Sequence, residues 1–244
     1  MAETPRFATA PGHVRAVDFG HVLVLIDYRS GLLRCLLPAA AIQWRNAACH
    51  GHLSAMAPAL ATRLLAAGLL RTVSSPTPWR PATIAGPAPP SWGSAEHAAG
   101  AVRPPAVPHG RSAAAVAALA SVIAVKRAGN RRSIMLRLTT TLRAATSVCR
   151  RAATPAEARA AVLAVRYAGW HFPGRTACLE ESTAAALLLA SRRLAVTWCH
   201  GIAPDPVRLH AWIRTEDGGP VAEPPSTLGY TPVLTIGDRH RHQS

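Results

Sequence analysis

Residues 75–110, SPTPWRPATIAGPAPPSWGSAEHAAGAVRPPAVPHG, constrain this chain more than any other stretch. They are dense in Pro, Gly, Ala and Ser and carry no sustained apolar period. Such a segment cannot bury enough surface to offset its ordering entropy, so it reads as a linker, semi-rigid where prolines cluster. The 244 residues are then expected as two small domains, 1–74 and 111–238, with a short basic tail at 239–244.

The first domain opens with three strand-like runs, HVRAV (13–17), HVLVLID (21–27) and LLRCLL (32–37), separated by the turns DFG and DYRSG. That spacing predicts a three-stranded meander. Pro38 fits the first turn of a helix over AAAIQWRNAA, and a second helical run, APALATRLLAAGLL, carries a glycine near its end. After the linker the period is helical. The runs from Arg111 to Lys126, RRSIMLRLTTTLRAATSVCRRA, and TPAEARAAVLAVRYAG predict three helices, the last capped by Thr154 with Pro155 and Glu157 behind it. One apolar helix, Cys178 to Arg193, precedes the strand-like LAVTWC (194–199), RLHAWIRT (208–215), PVAEP (220–224) and TPVLTI (231–236). Helices first and strands second give an α+β layout.

Lys and Arg outnumber Asp and Glu by 27 to 12, and Lys126 is the only lysine. The arginines are scattered rather than striped, so nucleic-acid binding is not the expected function. Five cysteines, Cys35, Cys49, Cys149, Cys178 and Cys199, are odd in number and widely spaced; with no apolar signal core at the start, free thiols in the cytoplasm are expected. The run AAAVAALASVIAV (113–125) is too short to span a bilayer, so no transmembrane segment is expected. CHGH (49–52) and the Cys199–His200 pair lack paired ligand spacing, so no metal is expected.

The chemistry concentrates in the last third. Pro173 and Gly174 form a turn, and Cys178 opens the next helix, where unpaired N–H groups and the helix dipole favour a thiolate. RLHAWI alternates, placing His210 and Trp212 on one face of a strand and Leu209, Ala211 and Ile213 on the other. A strand-borne imidazole can take the thiol proton and return it to a leaving amine. A base of this kind needs an acceptor on its other nitrogen. Glu223, on the next expected strand, supplies one if the two strands are adjacent and antiparallel; Asp217 in the EDGG turn is the rival.

PGRTACLEEST, SRRLAV, GIAPDPVRLHAWI and DGGPVAEP together resemble the lasso peptide biosynthesis B proteins of the microcin J25-processing (McjB-like) kind. The resemblance covers about 111–238 and implies a transglutaminase-like, papain-like cysteine protease domain. In it Cys178 is the nucleophile, His210 the base and acid, and Glu223 stands where many members have Asp. Glu181 departs from the family, which usually has Arg there. The first 75 residues resemble the winged-helix-like PqqD-type domain known as a RiPP recognition element. That implies a leader peptide added as a strand along Leu32, Leu33, Arg34, Cys35, Leu36 and Leu37, beside a helix over Pro58–Leu69 that carries Arg63. The implied activity is cleavage of a lasso precursor between leader and core, with an asparagine-synthetase-like lasso cyclase as partner. No bound cofactor is expected: no GxxxxGK[ST] loop is present, and ATP use is assigned to the cyclase. The alternatives are an acyltransferase using the same triad and a non-catalytic leader-binding scaffold for the cyclase.

Overall fold

A computed structural model describes residues 5–85, 109–204 and 206–237. The chain divides into two compact units, Met1–Pro87 and Ala88–Ser244.

In the first unit, strands β1 (Ala8–Thr9), β2 (Val14–Asp18), β3 (Leu23–Asp27) and β4 (Leu33–Leu36) precede helices α1 (Pro38–His50) and α2 (Pro58–Ala66). Two short strands follow, β5 (Arg71–Thr72) and β6 (Thr83–Ile84). β2, β3 and β4 form an antiparallel meander, and β3 is its most buried strand because an unbroken apolar run, Leu23 to Ile26, fills both faces. A fourth strand, β6, joins in parallel beside β2, giving the order β4-β3-β2-β6 and leaving β4 at an edge.

Residues 75–85, which composition assigned to the start of the linker, thus fold onto this unit. Trp79 is buried there and meets the core residue Trp44 edge to face at 5.4 Å. A large aromatic surface outweighs the ordering cost of a few Pro-rich residues. The stretch 86–108 lies outside the described residues, as does the tail 239–244. The CHGH stretch has a backbone role: Gly51 ends α1 in the left-handed conformation (φ 70°), and a Cβ there would lie 2.3 Å from the Thr77 nitrogen.

The second unit begins with α3 (His109–Arg127), α4 (Ile134–Ser147), β7 (Arg151–Ala152) and α5 (Pro155–Trp170). The Thr154–Glu157 capping box forms at the start of α5, each side chain bonding the other residue's backbone N–H. α6 (Cys178–Ala190) is apolar almost all round, which is the pattern of a central helix, and α3, α4 and α5 pack about it. Thr183 and Ala184 to Ala186 are buried, and these small side chains let neighbouring helices approach closely.

The chain then runs through β8 (Leu194–Ala195), β9 (Thr197–Pro204), β10 (Val207–Arg214) and β11 (Thr231–Ile236). β9 is the middle strand of an antiparallel sheet of order β10-β9-β11 and is buried along nearly its whole length. Trp198 on β9 donates its indole N–H to Ser182 of α6 at 3.0 Å, fixing the sheet against the central helix. Residues 220–224 form no strand. Pro220 makes only an isolated bridge to Arg214, after which Ala222 takes a left-handed φ of 54° that breaks the extended course.

Among the described residues no single helix is long and apolar enough to cross a membrane. The cysteines Cys35, Cys49, Cys149, Cys178 and Cys199 are all free thiols.

Candidate active site

The start of α6 places Cys178. Ala177, in extended conformation, is the N-cap residue, so Cys178 is the first residue of the helix, among backbone N–H groups that have no intrahelical acceptor. Alanine has no capping oxygen of its own. Glu180 instead reaches back to the Ala177 N–H at 3.1 Å, while its other oxygen pairs with Lys126 of α3. The sole lysine of the chain thereby anchors the first turn of the helix that carries Cys178.

β10 places His210. Its ring stacks on Trp212 two residues on, with centroids 5.7 Å apart, so the two share a face of the strand. Trp212 in turn lies over Gly201, the residue directly across on β9 from His210. Tyr230, just before β11, tilts against His210 at 5.2 Å. Trp212 and Tyr230, whose ring centroids are 6.4 Å apart, both lie against the imidazole.

The loop after β10 places Glu223. Its Oε2 lies 2.9 Å from His210 Nε2, and its side chain is 7% exposed. The expected neighbour is therefore present, but on a loop and not on an adjacent strand; the positive φ at Ala222 turns the chain so that the carboxylate faces the ring. Asp217 stays exposed in the turn closed by Gly218 N–H to Thr215 O.

The electrostatics tie the three groups together. Burial alone would lower the His210 pKa; hydrogen bonds to Cys178 and Glu223, reinforced by the charges of both, overcome this and raise it to about 9. With Nε2 engaged by Glu223, Nδ1 is the nitrogen left for the thiol. Tyr230 belongs to the same cluster. Burial raises its hydroxyl above the ordinary value, Arg208 opposes the rise, and Cys178 adds to it. An imidazole hydrogen-bonded to a thiol on one side and a carboxylate on the other is the arrangement that cysteine-based acyl transfer uses.

Residues 118–235 match the family model of the transglutaminase-like superfamily. They form a transglutaminase-like domain, which runs from within α3 to within β11 and contains Cys178, His210 and Glu223. Members of that superfamily are typically cysteine proteases or acyltransferases. No curated protein and no solved structure matches the chain.

The residues expected to bind a leader lie in the other unit. Leu33, Arg34, Cys35 and Leu36 form the edge strand β4; Arg34 and Cys35 are exposed, Leu36 is buried, and Leu37 is the exposed N-cap residue of α1. Leu32 is half-buried before the strand. Arg63 is exposed on α2, which ends at Ala66, short of the expected Leu69, because Gly68 takes a left-handed φ. Among the described residues no group of three His, Cys, Asp or Glu side chains is arranged to hold a metal ion.

Sequence reasoning missed Arg166 and Tyr230. Arg166 on α5 bonds the Ala222 carbonyl and the Glu223 carboxylate, the latter at 2.5 Å, from 57 residues away. Only its position in AVRYAG, a charge inside an apolar helical run, hints at a buried partner.

Proposed function

We propose that this chain is a leader peptidase of lasso peptide biosynthesis. It binds the leader of a ribosomal precursor through its first unit and cleaves the leader–core peptide bond at Cys178. The observation that carries the reading is the His210 ring, hydrogen-bonded to Cys178 and 2.9 Å from Glu223 inside a transglutaminase-like domain. The edge position of β4 supports leader binding: among the described residues no further strand pairs with it, so an extended peptide can add there.

In the proposed reaction the Cys178 proton rests on His210, and the thiolate sulfur attacks the scissile carbonyl carbon. The tetrahedral oxyanion is met by backbone donors at the start of α6, the Cys178 N–H among them. Collapse expels the core as an amine, which receives the proton from His210, and leaves the leader as a thioester on Cys178. Water, deprotonated by His210, then attacks the thioester; the leader leaves with a free carboxylate and the proton returns to sulfur. Glu223 holds the ring orientation and balances the imidazolium in each step. The freed core passes to the asparagine-synthetase-like cyclase that closes the lasso ring.

Transfer of the acyl group to an amine uses the same first half-reaction, and the product distinguishes the two. Purified chain is incubated with precursor peptide in heavy-oxygen water, with and without an added primary amine, and the products are weighed by mass spectrometry. The proposal predicts a leader acid carrying the heavy oxygen. A leader amide as the main product identifies an acyltransferase, and an intact precursor with the cyclase also present identifies a binding scaffold.

A further inference from the structure

The carboxylate that faces His210 sits in a loop with no strand ladder to hold it, and the residue before it adopts a left-handed backbone that alanine does not favour. Something outside the loop must fix it. The guanidinium of Arg166 meets this loop with two of its nitrogens: Nη1 bonds the Ala222 carbonyl, and Nη2 the Glu223 Oε1 at 2.5 Å. The remaining Glu223 oxygen is thereby turned toward His210.

The third nitrogen lies near a second carboxylate. Arg166 Nε lies 3.8 Å from Glu181 Oε2, and Glu181 Oε1 accepts the Thr176 hydroxyl at 2.9 Å. Thr176 stands two residues before Cys178, where the chain enters α6. This pair rests on the bare face of Gly169, where a Cβ would come within 2.8 Å of the Thr176 hydroxyl oxygen. Three carboxylates, Glu180, Glu181 and Glu223, thus gather around the start of α6, with Lys126 and Arg166 as their cations. Burial raises the Glu181 carboxyl above its ordinary value, while the Thr176 hydrogen bond and Arg166 pull it down and Glu223 and Glu180 push it up. The planar fork of an arginine serves both sides at once; a lysine ammonium, a single point donor on a flexible stem, does not.

We propose that Arg166 is a positioning residue for the triad. It acts on His210 through Glu223 and on the Cys178 helix start through Glu181 and Thr176, so that acid, base and nucleophile are held to one another by a single side chain. The proposal rests on the reading of Cys178, His210 and Glu223 as an acyl-transfer centre. It also gives Glu181 a place: the acidic residue at this position meets an arginine supplied by α5.

The test is an NMR titration of the His210 imidazole, without substrate, in wild type, Arg166→Ala and Arg166→Lys, alongside peptide cleavage rates. Loss of a nearby cation by itself raises an imidazole pKa, whereas loss of a properly held Glu223 lowers it. The expected result is a His210 midpoint well below the wild-type value of about 9 in both variants. Cleavage should fall by about 100-fold in Arg166→Ala, and millimolar guanidinium should restore both the midpoint and the rate. An unchanged or raised midpoint overturns the assignment. Should Arg166→Ala fail to fold, Arg166→Lys, which keeps charge and most of the bulk, decides the question by the same midpoint. If wild type cleaves no peptide while the variant midpoints still fall, the peptidase reading fails and the role of Arg166 stands.

Discussion

His210 Nε2 stands 2.9 Å from Glu223 Oε2, and the glutamate that makes this contact belongs to a loop held from a distant helix. Replacing it by Gln keeps the shape and removes the charge that helps lift the imidazole pKa. Glu223→Gln should lower kcat/KM by about 100-fold or more and should move the alkaline limb of the pH profile downward. Asp217→Asn, in an exposed turn, should stay within about twofold of wild type.

The raised His210 pKa predicts an alkaline limit for the proposed activity and for part of the stability. Its folded value of about 9 exceeds the ordinary 6.5, so folding is favoured by imidazolium binding its partners. This contribution is fully present below about pH 6.5 and disappears as pH rises through about 9. Denaturant midpoints should decline across that window, peptide cleavage should fall only as pH passes about 9, and His210→Gln should flatten the stability curve.

His200 carries the opposite linkage. Burial, with a smaller push from His210, lowers its pKa to about 4, so the ring is neutral in the fold and protonated more readily when unfolded. Stability should be intact above about pH 6.5 and fall as pH drops toward 4, by on the order of 3 kcal/mol at 1.36 kcal/mol per unit. Urea denaturation of His200→Gln across this range should show a shallower decline than wild type.

Gly201 is required by its neighbours. A Cβ there would come 2.7 Å from the Trp212 ring and 2.8 Å from the Thr231 carbonyl, neither of which can swing away inside the sheet. Gly201→Ala should cost about 1–3 kcal/mol by overpacking and, by shifting Trp212, disturb the stacked His210. Thermal melts and cleavage rates should fall together.

Much of the second unit was legible because its signals are local. Thr154, Pro155 and Glu157 announce a helix start, the apolar run after Cys178 marks a buried helix, and the alternation in RLHAWI places His210 beside Trp212. The proximity of Glu223 to His210 was also anticipated, but for the wrong reason. A strand over 220–224 follows from pattern alone, whereas Arg166 and the left-handed Ala222 produce a loop instead. Contacts across 57 residues leave no periodic trace. The same holds for β6 and Trp79: a Pro-rich composition predicts linker, and only the existing Trp44 surface makes its first part fold.

Cys178 is the proposed nucleophile of peptide cleavage. The most direct measurement follows leader release from a lasso precursor by mass spectrometry, comparing wild type with Cys178→Ala at matched folding, and with the cyclase added in a parallel arm. Wild type should yield leader and core masses, and Cys178→Ala none above background. Leader release at the wild-type rate by Cys178→Ala would contradict it.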